Sequence, residues 1–322
     1  MKTFCLLLMG TFSNTSSLTS SSPYCGPNTV KKTFKHKSFD IKYQQAGDPS
    51  NPPVLLIHGF GASSSHFRYN IPVLAVKNCV YAIDLLGFGD SSKPKDLTFT
   101  MDTFTTLCED FIQSTPPCPS NHNKWIVAGN SIGGLTAINL AASSKVKELI
   151  RGVILFNSSG GLSSFRYADY PFYLRPILFV VQNVVLKNFG AAFYKNFKTK
   201  ENVLQILNEQ VYADTTNVDE PLVDMLVAPS DDDGAQEVFL SVFGAEPGTD
   251  PQFLLPKIEV PVLALWGTRD NWTPLAGGEK LKTFANPRSS FELVPIVAGH
   301  CLHDEVPETC HKYILPWIDN LS

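Results

Sequence analysis

A chain of 322 residues with 43% hydrophobic and 17% charged content can bury a large core, which excludes disorder and favours one globular unit with an insertion over two separate domains. A net charge of −4 supplies no broad basic surface for phosphate backbones, and no short nucleic-acid-binding signature is present, so nucleic acid is not an expected partner. Seven cysteines (Cys5, Cys25, Cys79, Cys108, Cys118, Cys301, Cys310), scattered without CxxC spacing, argue against a disulfide framework and a structural zinc site, and most are expected to be reduced and buried.

The first 39 residues contain no Asp or Glu, and SNTSSLTSSSP is rich in Ser and Thr, a targeting composition. MKTFCLLLMG adds a lysine and an apolar run too short to span a bilayer but long enough for a secretory h-region. Two addresses fit, an organellar transit peptide and a signal peptide, and residues 1–37 are read as a targeting or disordered segment.

From residue 38 onward, short apolar runs bounded by turn residues alternate with helix-length segments, the rhythm of a parallel sheet flanked by helices. SFDIKYQQAG predicts an early antiparallel strand; PVLLIH, CVYAID, WIVAG and RGVILFN predict further strands, with helical spacing in MDTFTTLCEDFIQ and GLTAINLAASS. VPVLALWG and SSFELVPI complete the series. Residues 38–159 and 252–322 are thus the two parts of an α/β core, and 160–251 interrupt it as a mostly helical cap inserted after the sixth strand. The aromatic and aliphatic residues of FRYADYPFYLRPILFVVQNVVLKNFGAAFYKNF suit packing on the core and lining an apolar cavity, and a lid face against a membrane is a third use. PSDDDGA reads as a solvated loop or helix start.

At the end of WIVAG the chain runs into Gly-Asn-Ser-Ile-Gly-Gly and then a helix, the setting in which Gly-x-Ser-x-Gly becomes a nucleophile elbow. Gly129 and Gly133 allow the tight turn that projects Ser131. A serine attacks only with a base and a group that orients the base. After the final strand, VAGHCLHDEVPE offers His300, with His303 competing, and the Ala-Gly before His300 suits a tight turn. Asp270 stands just beyond VPVLALWG, whereas the loop after RGVILFN offers Asn157, Ser158 and Ser159 but no carboxylate. His58-Gly59-Phe60-Gly61 follows a strand and can aim the Phe60 N–H at a developing oxyanion, opposite the N–H of Ile132. His58 is read as holding that loop, while His66 and Arg68 fit either substrate contact or a solvated helix face. A metal at His300, Cys301, His303 and Asp304 would need ligands from elsewhere, and none stands out; no phosphate-binding glycine loop is present either, so neither metal nor cofactor is expected.

These motifs, in the order Ser131, Asp270, His300, resemble the α/β-hydrolase fold superfamily from about Phe39 to Ile318. HGFGASSSHFRYNIPVLA, YAIDLLGFGDSSKP, GNSIGG, LWGTRDNWTP and AGHCLHDEVPE are most similar to the plastid-type serine hydrolases of plants, algae and cyanobacteria, the group of pheophytinase and chlorophyll dephytylase. The resemblance implies the α/β-hydrolase fold, a mostly parallel central sheet flanked by helices with a helical cap after strand 6. It implies hydrolysis of a hydrophobic small-molecule ester through an acyl-enzyme, a phytyl ester of chlorophyll or pheophytin being one such substrate. Ser131 would be nucleophile, His300 base, Asp270 its orienting acid, and Phe60 and Ile132 the oxyanion donors. A chloroplast destination and peripheral contact with thylakoid or another membrane go with that group. Epoxide hydrolases and haloalkane dehalogenases use a carboxylate where this chain has Ser131. Carbon–carbon bond hydrolases share Gly-Asn-Ser-x-Gly-Gly and remain the enzymatic rival; their anionic dienone substrates would call for cap cations, for which Arg166 and Arg175 are candidates. A non-catalytic lipid or pigment binder is the alternative from another class, disfavoured by the complete set of triad residues. Asp270→Asn is expected to slow turnover strongly while leaving folding nearly unchanged.

Overall fold

The computed structural model describes residues 29–115, 123–161, 190–246 and 248–321. Most of the targeting segment, most of the aromatic run including Arg166 and Arg175, and Cys5, Cys25 and Cys118 lie outside the described residues. Cys79, Cys108, Cys301 and Cys310 are buried free thiols.

Eight strands form one sheet in the order β1-β2-β4-β3-β5-β6-β7-β8, with β1 (Val30–His36), β2 (Phe39–Ala46), β3 (Pro53–Ile57), β4 (Cys79–Ile83), β5 (Trp125–Asn130), β6 (Ile150–Phe156), β7 (Val262–Gly267) and β8 (Phe291–Ile296). β2 runs antiparallel to both β1 and β4, and every pairing from β4 to β8 is parallel. β1 corrects the reading of 1–37 as a stretch outside the fold. Its VKKTFKH turns Phe34 and His36 inward and spends Lys31, Lys32 and Lys35 on an exposed edge, where lysines discourage pairing with another chain. Phe34 still anchors it, meeting Phe111 edge-on at 5.4 Å between ring centroids.

β3, β4, β5 and β7 are buried on both faces, so their side chains alternate between two cores. Val54 and Leu56 join one core with Ile71 and Leu74 of α1 (Asn70–Leu74) and with Ile314 and Ile318, while Leu55 and Ile57 join the opposite one under α2 (Met101–Ser114) and α3 (Ile132–Ala142). Each fully buried aliphatic side chain contributes roughly 1.5–3 kcal/mol. α2 starts at Thr100, whose Oγ1 accepts the Thr103 N–H while Thr103 Oγ1 accepts that of Thr100, a reciprocal cap.

Between β6 and β7 the described residues form helices and helical turns without a strand. The chain is helical over 190–197, then come α4 (Lys200–Ile206), α5 (Glu220–Val227) and α6 (Ala235–Phe243). This insert packs as two clusters, an aliphatic one around Leu207, Val211 and Leu222, and an aromatic one around Tyr194 and Phe239. The core resumes with β7, α7 (Leu275–Thr283) and β8, and ends in the single turn Leu302–Glu305 and the helix Pro307–Asp319. No helix of the described residues is long and apolar enough to cross a membrane.

Candidate active site

β5 ends at Asn130 and α3 begins at Ile132, so Ser131 makes the whole turn. Its φ of 55° and ψ of −118° lie where residues with a Cβ rarely go, at a cost of about 1–3 kcal/mol. The two flanking glycines permit it. A Cβ on Gly129 would lie 2.2 Å from the Gly133 carbonyl, and one on Gly133 2.1 Å from the Ile57 carbonyl oxygen, so only bare backbone lets β3, β5 and α3 approach this closely. The turn sets Ser131 in the wall of a cavity of about 190 Å³ that it shares with Phe60, Trp272 and His300.

Asp270 follows β7 and is buried, receiving five hydrogen bonds. Trp272 and Thr273 donate their N–H groups to Oδ1 at 2.7 and 3.0 Å. His300 Nδ1 donates to Oδ2 at 2.7 Å, Thr273 Oγ1 to the same oxygen at 2.5 Å, and the Asn157 side-chain amide to it as well. Burial pushes the Asp270 carboxyl up, yet the bonds from His300 and Thr273 outweigh it and hold the group below the usual carboxylate range. An ionised carboxylate on Nδ1–H leaves the lone pair of a neutral imidazole on Nε2.

The loop that carries His300 is tied down on several sides. Its N–H donates to the Val211 carbonyl in the insert at 2.7 Å, its carbonyl accepts from Asn130 Nδ2 at 3.0 Å, and the Trp272 ring stacks on the imidazole at 6.0 Å. Glu305 is the clamp behind it: Oε2 accepts the Gly299 N–H at 2.8 Å, while Oε1 accepts those of Ala213 and Asp214 at 3.2 and 2.8 Å. Among the described residues no hydrogen bond joins Ser131 Oγ to His300 Nε2; the acid–imidazole half is closed, and the serine shares the cavity with it.

A Cβ on Gly59 would lie 3.3 Å from the Ser131 Cβ, so the loop after β3 borders the serine directly. His58 fixes that loop, its Nδ1–H donating to the Gly59 carbonyl at 2.7 Å and its Nε2 accepting the Leu85 N–H at 3.0 Å. Ile132 opens α3, where N–H groups lack intrahelical partners and the helix dipole is positive. Among the described residues neither the Phe60 nor the Ile132 N–H is engaged by another group.

Of the two readings the sequence left open for His66 and Arg68, the solvated face falls: both are buried, because the insert covers the 3-10 turn Ser64–Phe67 that carries His66 and leads into Arg68, and His66 lines the cavity. Arg68 bonds Asp304 through Nε at 2.7 Å and Asp219 through NH1 at 2.7 Å, and His66 Nε2 meets the Tyr212 hydroxyl at 3.0 Å. His303, the competing base, lies against Phe67, Phe156 and His66 with neither ring nitrogen partnered among the described residues, and it does not line the cavity. The support that Asn157, Thr273 and Glu305 give the site escaped the sequence reading. The signal for Asn157 was its place at the end of a buried strand, where a polar residue needs a partner. Among the described residues no group of three or more His, Cys, Asp or Glu could hold a metal ion.

Residues 52–307 match the alpha/beta hydrolase fold family. Chloroplastic pheophytinase of Arabidopsis thaliana is 27% identical over 88% of this chain, which spans 64% of that protein's length. The 2-hydroxy-6-oxo-6-(2'-aminophenyl)hexa-2,4-dienoic acid hydrolase of Metapseudomonas resinovorans is 26% identical over 85% of this chain and 84% of its own. The structure of carboxylesterase CesB of Bacillus subtilis superposes with a TM-score of 0.70 at 18% identity, over 92% of this chain and 93% of that one, a likeness of fold.

Proposed function

The chain belongs to the alpha/beta hydrolase fold family and is a hydrolase of it, and we propose that it cleaves a carboxylic ester of a hydrophobic substrate through an acyl-enzyme on Ser131. The observation that carries this reading is the 2.7 Å bond from His300 Nδ1 to Asp270 in the wall of the cavity that also holds Ser131 on its strained turn. His300 Nε2 takes the Ser131 proton as Oγ bonds to the ester carbon, and contacts of this kind tighten when substrate binds. Asp270, kept ionised, stabilises the imidazolium. The free N–H groups of Phe60 and Ile132 receive the oxyanion. Collapse breaks the carbon–alkoxy bond and the proton passes from Nε2 to the departing alcohol. Water then repeats the sequence, freeing the acid and Ser131.

The cavity lining favours an uncharged ester over the anionic dienone of a carbon–carbon bond hydrolase. Its two described lysines are already matched, Lys93 with Asp232 at 2.7 Å and Lys198 with Asp231 at 2.5 Å. A phytyl ester of chlorophyll or pheophytin is the finer reading, supported by the similarity to pheophytinase. About 190 Å³ accommodates a chain or a ring beside the serine, so a whole pigment acid would extend past the described walls. The acid-free, Ser- and Thr-rich first 39 residues and the chloroplastic relative support a plastid address, which import of a fluorescent fusion tests. Activity is tested with a fluorophosphonate and with simple esters, pheophytin and a dienone: wild type is expected to label and cleave esters, and Ser131→Ala to do neither. Labelling that survives Ser131→Ala, or cleavage of the dienone alone, would reject the reading.

A further inference from the structure

Both nitrogens of the His300 ring are committed in the plane of the ring. Nδ1 bonds Asp270 Oδ2 at 2.7 Å, with Thr273 Oγ1 at 3.3 Å, and Nε2 is left to take the Ser131 proton. A further stabilising contact must therefore come across a face of the ring. One face is covered, because the Trp272 indole stacks on the imidazole with ring centroids 6.0 Å apart and planes 27° from parallel.

Trp272 is 44% exposed, and a lone exposed apolar side chain calls for no explanation by itself. This one is fixed to the acid and the base through its own backbone. Its N–H and that of Thr273 donate to Asp270 Oδ1 at 2.7 and 3.0 Å, and Nε1 of the Trp266 indole donates to the Thr273 carbonyl at 2.8 Å. The turn from Asp270 to Thr273 thus sets a carboxylate in the plane of the imidazole and an aromatic ring across its face, both without help from the insert.

Resting on the acyl-enzyme reading, we propose that Trp272 is a further catalytic residue, its indole face stabilising the His300 imidazolium in the transition states of both half-reactions. The ring becomes a cation when it takes the proton of Ser131, loses that charge to the departing alcohol, and becomes a cation again when it takes the proton of water. The negative face of an aromatic ring attracts a cation, and Trp does so most strongly. A neutral imidazole gains only dispersion from the same contact, so the attraction belongs to the transition state and not to the ground state. The 6.0 Å separation lies at the outer end of the range over which the attraction acts, which limits the effect to a few-fold in rate.

Two measurements on a short ester separate this role from packing and from substrate contact. Trp272→Leu is expected to lower kcat and kcat/KM alike by about fivefold with KM unchanged, the pattern of an interaction made only in the transition state, and Trp272→Phe to recover most of the loss. The second replaces the chain's four tryptophans (Trp125, Trp266, Trp272 and Trp317) with mono-, di- and trifluorotryptophan, which keep the ring's shape while draining charge from its face. The logarithm of kcat is expected to fall in step with the number of fluorines, by about threefold in all, and to stay level when the same series is placed in Trp272→Phe. A loss wholly in KM would make Trp272 a substrate contact, and a level series in the wild-type chain would reduce it to packing; either overturns the proposal alone. A wild-type protein that neither labels with a fluorophosphonate nor cleaves the ester would overturn the acyl-enzyme reading and this proposal with it.

Discussion

Asn157 hydrogen-bonds Asp270 Oδ2, the same oxygen that accepts His300 Nδ1 at 2.7 Å. The orientation of its amide is set from the other side, because Oδ1 accepts the Gly267 N–H at 2.9 Å and only Nδ2 remains to face the carboxylate. Asn157 itself sits at a φ of 46°, a left-handed conformation that Asn tolerates better than most residues. The loop without a carboxylate after β6 thus supports the carboxylate after β7.

Both oxygens of Asp270 face donors, so Asp270→Asn cannot present an acceptor to each of them. One side must set an amide N–H against N–H or O–H donors, and the expectation that folding stays nearly unchanged gives way to a loss of about 1–3 kcal/mol. Turnover is expected to fall about 10⁴-fold, because the imidazole loses its ionised partner and its tautomer. Urea denaturation and kcat on a short ester check the two parts separately, and a variant as stable as wild type would contradict the donor arrangement.

Ser131 carries a backbone conformation that glycine adopts at little cost. Ser131→Gly is therefore expected to be more stable than Ser131→Ala by about 1 kcal/mol, although both lose the hydroxyl. A higher denaturation midpoint for the alanine variant would show that the turn is not strained.

Glu305 holds three backbone N–H groups from two elements, and burial raises its carboxyl above the usual range. Glu305→Gln keeps one acceptor oxygen but turns an N–H toward the Gly299 or the Ala213 and Asp214 donors. We expect kcat to drop about tenfold with KM little changed, since His300 is misplaced while the walls remain. An unchanged kcat, or a loss wholly in KM, would leave Glu305 without a positioning role.

Acid should destabilise the fold well above the range where Asp270 titrates. Burial depresses the His66 pKa to about 4 against the opposing pull of Asp304, and burial likewise puts His303 well below its ordinary value. As pH falls from about 6.5 toward 4, the unfolded chain binds protons that the folded one refuses, and stability drops by up to ~3 kcal/mol for His66. Asp270, depressed in the fold, contributes stability that is complete above about pH 4 and is lost only below it. His303→Leu removes a ring whose nitrogens have no partner among the described residues. It should be within about 1 kcal/mol of wild type at neutral pH and less sensitive to acid. Denaturation midpoints at about pH 7 and about pH 5 test this, and an equal or steeper acid dependence would refute it.

Alternating apolar runs and their turn residues were enough to read the parallel sheet, its flanking helices and its antiparallel start, because hydrophobic period and strand-end chemistry are local properties. So was the placing of Ser131, Asp270 and His300 at strand ends, where loops can bring side chains together. β1 was passed over because its exposed lysines hide a pattern that only pairing with β2 completes. Asn157 on Asp270 joins positions 113 residues apart, and Arg68 on Asp304 joins positions 236 apart. The Glu305 clamp and the packing of the insert into an aliphatic and an aromatic cluster arise in the same way. Such contacts were decided only by the tertiary structure, since a buried polar group takes whatever partner packing brings within hydrogen-bond reach, and nothing in the residues beside it in the chain specifies that partner.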